Sequence, residues 1–192
     1  SEEGSGIYMS LVLRPTLAPQ NASGLTLVAA VAVAKAIAVV TESTARIKWP
    51  NDIVMNQKKV CGILTEMSLD GQEIASVVVG IGVNVHQMDF PKEIADIATS
   101  IDKETGSYHS RSRLIEEILL WFEAYYEKYM QTGNLSLLKK EYEEILANKD
   151  EKVKVLDPAG EYEGITRGIT KTGELIVDTG KKRHYVSSGE VS

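Results

Sequence analysis

Apolar and polar residues alternate with a period of two over Ile7–Leu13. That places Ile7, Met9 and Leu11 on one face of a strand and Tyr8 and Ser10 on the other. The pattern then becomes continuous: Leu25–Val40 is apolar apart from Thr26 and Lys35. This run is shorter than a bilayer span and reads as a buried helix, with Ser23 or Asn21 as its cap. Short strands over Ala45–Lys48 and Ile53–Asn56 flank a corner, and Asn56-Gln57-Lys58 turns the chain. Lys58–Met67 and Val77–Asn84 follow as strands on either side of Asp70-Gly71, a strong hairpin signal between apolar runs. Residues 58–84 are therefore predicted as an antiparallel pair.

Residues 86–110 are rich in Pro, Ser, Thr and Gly and read as loop, with a short helix near Glu93–Ser100. Helical spacing returns over Arg111–Met130, where Leu114, Ile115, Ile118, Leu119, Phe122, Tyr125 and Tyr129 recur at three and four. Gly133 ends that helix. Leu135–Ala147 is predicted as a second helix, with Lys139, Lys140, Glu143 and Glu144 spaced for pairs of small value. After a charged linker at Asn148–Lys152 the texture changes to short strands: Val153–Leu156, Tyr162–Ile169, Glu174–Val177 and Arg183–Val186. Asp157-Pro158-Ala159-Gly160, Thr172-Gly173 and Thr179-Gly180 supply the turns. Such spacing suggests a small SH3-like barrel. The expected fold is α+β: a mixed, largely antiparallel sheet packed with helices over residues 1–148, and the small β-domain over 149–192.

Composition narrows the function classes. The 192 residues are 43% hydrophobic and 25% charged, which suits a globular domain with a small appendage. A net charge of −6 argues against general nucleic-acid binding. The single cysteine, Cys61, permits no internal disulfide and fits a reducing cytoplasm; in an apolar strand it reads as a small buried hydrophobe. Ser1–Gly6 is polar and reads as frayed; no secretory signal stands there, and no membrane role is expected. His86 and His109 are isolated, and Asp89, Asp96, Asp102 and Glu104 lack metal-ligand spacing, so they read as solvated surface. The basic run Lys181-Lys182-Arg183-His184 reads as a solvated hairpin, or as a contact for a nucleotide phosphate or a partner.

The chemistry concentrates in Lys48-Trp49-Pro50-Asn51-Asp52 and the hairpin after it. Gly62, Gly80 and Gly82 leave bare backbone on which a flat ligand could lie, since isolated glycines inside strands often mark close approach. Lys48 and Lys59 supply point charges for carboxylate or phosphate. Asp52 supplies a base, Asn51 and Asn84 amides, and Trp49-Pro50 an aromatic face and a fixed φ. Each also has an ordinary structural explanation. Lys48 and Lys59 could be strand-end surface, Asp52 an Asx-turn residue, and Tyr8 a core tyrosine beside a hydrogen-bonded Ser10. Their combination suits a small acid activated with a nucleotide.

The Lys-Trp-Pro-Asn-Asp corner, the Lys59-x-x-Gly62-Ile63-Leu64-x-Glu66 strand and the Gly80-x-Gly82-x-Asn84 strand resemble the catalytic domain of bacterial biotin protein ligases, the biotin–[acetyl-CoA-carboxylase] ligases. The resemblance covers most of the chain and implies a class II synthetase-like sheet with a C-terminal SH3-like cap. It also implies two steps. Biotin attacks the α-phosphate of ATP with Mg²⁺, and a lysine of the biotin carboxyl carrier domain then takes the biotinyl group from the adenylate. By resemblance Lys59 holds the biotin carboxyl, Lys48 meets phosphate, and Asn51 and Asn84 lie near the nucleotide and its metal. Gly62, Gly80 and Gly82 face biotin, with Tyr8 and Ser10 beside it, and Lys171 lies toward the adenine. Asp52 orients or deprotonates the carrier lysine, whose free amine titrates at about 10.4. No residue of this chain is expected to be a dedicated metal ligand.

The alternatives are a lipoate–protein ligase of the same broad fold and a non-catalytic module that senses biotin. A homodimer through a free sheet edge is a further expectation. The family's Gly/Arg-rich loop, upstream of the strand at Ile7–Leu13, has no match in this sequence, nor does a DNA-binding helix-turn-helix. The chain therefore looks like a ligase without its N-terminal part, and alone it is predicted to form the adenylate slowly. A pyrophosphate-release assay with biotin and ATP checks this; turnover at the rate of a ligase carrying that loop would refute it.

Overall fold

A computed structural model of the chain describes residues 4–156 and 160–191. The predicted turn residues Asp157–Ala159 and the polar Ser1–Glu3 lie outside the described residues. The first half builds one antiparallel sheet from β1 (Gly6–Leu13), β2 (Arg46–Lys48), β3 (Asp52–Met55), β4 (Lys58–Asp70) and β5 (Glu73–Asn84), in the order β1-β5-β4-β3-β2. The β4–β5 hairpin closes on Gly71-Gln72 with Gly71 at φ +63, and Asn56 and Gln57 turn β3 into β4 with φ of 47 and 67. Ser5 is buried rather than frayed, because its carbonyl accepts from the amides of Val85 and His86 as β5 ends.

One face of this sheet is covered. Ile7, Ile47, Ile53, Cys61, Ile63, Val77, Val79, Ile81 and Val83 are all buried in the core. The covering element is α1 (Gly24–Thr41), which lies between the sheet and α3 (Arg111–Thr132). That position explains a helix apolar on every side. With the 3-10 turn at Pro19–Asn21 it runs to 23 residues, so by length and composition it could cross a membrane; here 67% of its apolar 18-residue stretch is buried inside the protein. Neither Ser23 nor Asn21 caps it with a side chain, because the preceding turn runs straight into the helix.

Two helices depart from the sequence reading. Residues 92–97 form turns, and the short helix is α2 (Ile101–Thr105) instead of Glu93–Ser100. Ser100 caps α2 by accepting from Lys103 N, and Ala98 is committed to a bridge with Lys59. The expected Leu135–Ala147 helix breaks into a 3-10 turn at Leu135–Leu137 and α4 (Lys139–Glu144). Its last residues are diverted, because Ile145 and Ala147 hydrogen-bond to the backbone of Ile47.

The second sheet comprises β6 (Lys152–Leu156), β7 (Tyr162–Ile169), β8 (Leu175–Asp178), β9 (Arg183–Val186) and β10 (Glu190–Val191), in the order β10-β6-β7-β8-β9. It forms the small SH3-like unit. It is pinned to the first half by Trp49, 3% exposed, whose Nε1 donates to Gly173 O at 2.9 Å. Leu135 N donates to Lys171 O at 2.8 Å, and Ile169 N to Glu143 Oε1 at 3.0 Å.

Close packing sets a testable limit at Gly24, where a Cβ would stand 2.2 Å from the Tyr129 hydroxyl. That hydroxyl donates to Asn21 O at 2.6 Å. Gly24→Ala is expected to cost about 1–3 kcal/mol, the usual range for overpacking. Urea denaturation with an unchanged midpoint would contradict it.

Candidate functional site

The opposite face of the first sheet is open, and the register lines up a single row across it. Tyr8 pairs with Gly82, Gly82 with Gly62, Gly62 with Asp52, and Asp52 with Lys48. Cross-strand partners share a face, so one polar row crosses five strands with two bare glycines at its centre. A second row, Ser10–Gly80–Leu64, lies beside it. Over the glycines the sheet surface is a trough of about 520 Å³, bordered by Tyr8, Ser10, Asn51, Lys59, Gly62, Gly80 and Gly82. Tyr8 is 69% exposed, and its ring stands over Gly82, where an added Cβ would meet it at 3.6 Å.

Lys59 reaches this face through a β-bulge. Strict alternation would turn Lys59 with Cys61 toward the core. Between β3 and β4, Ile53 pairs with Cys61 but Val54 pairs with Lys59, so Val60 is an extra residue. Val60 and Cys61 are both buried, and the count beyond them is reversed. Bulges re-aim side chains in this way. The Lys59 ammonium then comes 2.6 Å from Asp52 Oδ1. A Cβ on Gly62 would lie 3.1 Å from Lys59 Nζ, so the ammonium lies over bare backbone.

Asp52 Oδ1 is closed to solvent and makes no hydrogen bond of regular geometry; what stands against it is the charge of Lys59. The pair is only partly screened, with Lys59 47% and Asp52 23% exposed at the side chain. An anion arriving in the trough can therefore compete for the ammonium without unburying it.

The two asparagines are oriented by their donor ends. Asn51 Nδ2 donates to Ile63 O at 2.9 Å, and Asn84 Nδ2 donates to Thr99 O at 3.1 Å. Each amide oxygen is the end left for another partner. Asn84 lines a separate recess of about 350 Å³ with Lys59, Cys61, Gly82, Ile94 and Ile97, beneath the segment that follows β5.

Not every residue picked from the sequence gathers here. Lys48 stands at the end of the row but lines another cavity, of about 590 Å³, with Arg46, Val54 and Glu151. Lys171 borders neither the trough nor the recess; its carbonyl is spent on Leu135 N. Trp49 is buried against the second sheet, and the part of it still reachable borders a cavity with Asn51, Ile63, Thr172 and Gly173. His86 and His109 are not isolated, nor is Asp102 solvated. Asp102 Oδ2 meets His86 Nδ1 at 2.6 Å, and Oδ1 meets His109 Nδ1 at 3.1 Å. Glu104, also read as solvated, accepts from Thr99 and Asn56. The loop brings these groups together from both ends, which spacing along the chain does not reveal.

Known proteins share this sequence pattern and fold. Residues 1–84 match the biotin/lipoate A/B protein ligase family, and residues 150–192 match the biotin protein ligase C-terminal domain. The whole chain is 39% identical to the bifunctional ligase/repressor BirA of Bacillus subtilis, of which it covers 59%. A 40% identical BirA from Bacillus spizizenii is covered to 60%. The chain thus spans about three fifths of these two relatives. Its identity to the biotin–[acetyl-CoA-carboxylase] ligase of Paracoccus denitrificans is 31% over 95% of the chain and 78% of that protein. Among solved structures, the biotin protein ligase from Aquifex aeolicus in complex with biotin and ATP superposes with a TM-score of 0.85 at 31% identity. That match covers 98% of this chain and 78% of the other.

Burial pushes the Cys61 thiol far above its ordinary value of 9.0; the nearby Asp52 charge adds to this and Lys59 opposes it. In the folded protein the thiol stays protonated, so Cys61 is expected to resist iodoacetamide at pH 8 and to react once unfolded in urea. The unfolded thiol ionises above about pH 9 while the folded one does not, so stability is expected to fall as pH rises through that point. Native alkylation tracking the denatured rate would contradict this.

Proposed function

This chain belongs to the biotin protein ligases of the biotin/lipoate A/B protein ligase family, and on that premise we propose that it forms the acyl-adenylate site of a biotin–[acetyl-CoA-carboxylase] ligase. The observation that carries the reading is the glycine row, with an ammonium and a carboxylate at one end of the bare surface. The match of residues 150–192 to a biotin ligase C-terminal domain favours biotin over lipoate.

The fused rings of biotin rest on Gly62, Gly80 and Gly82, with Tyr8 and Ser10 at the border. The biotin carboxylate lies toward Lys59, whose charge offsets the repulsion between that carboxylate and the ATP phosphates. A carboxylate oxygen attacks the α-phosphorus; the bond to the bridging oxygen breaks, and pyrophosphate leaves. Lys48 stands next along the row beyond Asp52 but outside the trough, and its assignment to the phosphates rests on resemblance. Asn51 and Asn84 present amide oxygens toward the nucleotide. Among the described residues no three His, Cys, Asp or Glu side chains converge as a metal site. Mg²⁺ would come in with the triphosphate near Asn51 and Asn84 and would supply charge neutralisation there. The assignment of Lys171 to the adenine side rests on resemblance alone.

In the second step a lysine amine of the carrier protein attacks the acyl carbon of the mixed anhydride, and AMP leaves. Asp52 orients that lysine and accepts its proton, while Lys59 stays with the anhydride oxygens. Among the described residues, β4 from Leu64 onward has no strand on the β3 side, an open edge suited to pairing with another chain, a homodimer included. On this reading the ligase body spans residues 1–148 and the cap 149–192, and the protein works in the cytoplasm.

Lys59→Ala is expected to lower adenylate formation by about a hundredfold or more, the scale for removing one preorganised charge. Gly80→Val should abolish biotin binding while sparing ATP, because the added side chain fills the trough and Gly80 does not border the recess of Asn84. Calorimetry with biotin, lipoate and ATP, together with a carrier biotinylation assay, tests the reading. Preference for lipoate would overturn it, and full carrier biotinylation by Asp52→Ala would remove Asp52 from the second step.

A further inference from the structure

Lys59 and Asn84 belong to different strands, yet both are fastened to one short segment. Lys59 N donates to Ile97 O at 2.8 Å, and Thr99 N donates to Lys59 O at 2.9 Å. Both backbone groups of Lys59 are thus taken by residues 97–99, at the point where the bulge has turned Lys59 out of the regular ladder. The carbonyl of Thr99 accepts from Asn84 Nδ2 at 3.1 Å. Through its own N–H and C=O, Thr99 therefore touches the two residues proposed to face the biotin carboxylate and the nucleotide.

Thr99 is itself fixed. It is wholly buried, and its hydroxyl donates to Glu104 Oε1 at 2.6 Å. The other carboxylate oxygen, Glu104 Oε2, accepts from Asn56 Nδ2 at 2.6 Å. Asn56 sits in the β3–β4 turn, three residues before Lys59. Lys58 Nζ adds a contact to Ala95 O at 3.1 Å. The chain of contacts is closed: the turn holds Glu104, Glu104 holds Thr99, and Thr99 holds Lys59 and Asn84. Of the two bonds to this carboxylate, that from Thr99 is partly buried and that from Asn56 exposed, so the first is the firmer tie.

We propose that Thr99 and Glu104 are positioning residues which yoke Lys59 to Asn84, so that the ammonium and the nucleotide-facing amide are held in one fixed relation. Neither Thr99 nor Glu104 borders the glycine trough. The inference rests on the functional reading for what Lys59 and Asn84 bind, but the tie between them is a property of the fold. Without Glu104 the Thr99 hydroxyl loses its acceptor inside the protein, and the segment 97–99 is free to open locally.

The test compares wild type, Glu104→Ala, Glu104→Gln and Thr99→Val in the 192-residue chain, with biotin and ATP titrated separately by calorimetry. Glu104→Ala and Thr99→Val are expected to weaken both ligands by about tenfold, the scale of a small misplacement of binding groups. Glu104→Gln, which keeps an acceptor for the Thr99 hydroxyl, should recover most of the loss. Hydrogen exchange at the Lys59 and Thr99 amides should speed up in Glu104→Ala, while exchange in α3 stays unchanged. Undiminished binding of both ligands by Glu104→Ala, or unchanged exchange at Lys59 and Thr99, would overturn the proposal. If wild type binds neither biotin nor ATP, the functional reading fails, and the exchange measurement still decides whether the yoke exists.

Discussion

One extra residue in β4 decides where a positive charge goes. Val60 interrupts the pairing with β3, and the side chains beyond it change face. Without that interruption the Lys59 ammonium would point into a core lined by Cys61, Ile63 and Val83, where an unpaired charge is too costly to persist. With it, the ammonium stands over Gly62 and against Asp52. Everything chemical on the open face follows. The glycines provide space, Asp52 an alternating partner, and Lys59 a charge that can turn from the carboxylate of Asp52 to an incoming anion.

The covered face does the complementary task. It rests on α1, which has no polar side because the sheet lies on one flank and α3 on the other. A row of side-chain-free positions on the open face weakens a sheet, since glycine in a strand contributes no packing and loses more backbone freedom on folding. Here the losses at Gly62, Gly80 and Gly82 are set against the continuous burial of Cys61, Ile63, Val79, Ile81 and Val83, their immediate neighbours in sequence. Burying a side chain of this size contributes about 1.5–3 kcal/mol. The strands can therefore be bare on one side only because they are densely packed on the other. The indole of Trp49 completes the scaffold by joining the conspicuous motif to the second sheet.

Much of this was legible from residue order alone. Period-two alternation located β1, and the turn pair Asp70-Gly71 located the β4–β5 hairpin. Gly133 stopped α3, where its φ of 64 meets the need for a left-handed residue. The motif residues Lys59, Asp52, Gly62, Gly80 and Gly82 did come together. What could not be read was set by tertiary contact. Nothing local marks Val60 as a bulge, since Val60 and Cys61 read as an ordinary apolar pair. Lys48 opens the corner that leads toward Lys59, but it lines another cavity, with Arg46. The helix over Leu135–Ala147 has the right spacing, and tertiary pairing of its end with Ile47 overrides that preference. Asp102 and Glu104 look like solvated acids until the loop folds back on His86 and Thr99.

The site is a property of register, not of any single motif. Tyr8, Gly82, Gly62, Asp52 and Lys48 lie in one row because four strand pairings agree, and a slip of one residue in any of them would send a whole strand's open-face set into the core. Three local features fix those pairings. The tight turn at Gly71-Gln72 sets the distal end of the hairpin, with a second irregularity between Ser68 and Leu69 taking up a residue. The Asn56-Gln57 turn sets β3 against β4, and Val60 resets the count before Gly62 meets Asp52. Asn51 then clamps the crossing point from both sides, its carbonyl accepting from Ile63 N and its amide donating to Ile63 O. A corner residue that would otherwise count only as ligand-facing thus holds the strand on which the bare glycine sits. This is the physical reason that the Asn-Asp pair and the Lys-x-x-Gly strand must occur together: the first fixes the register that gives the second its meaning.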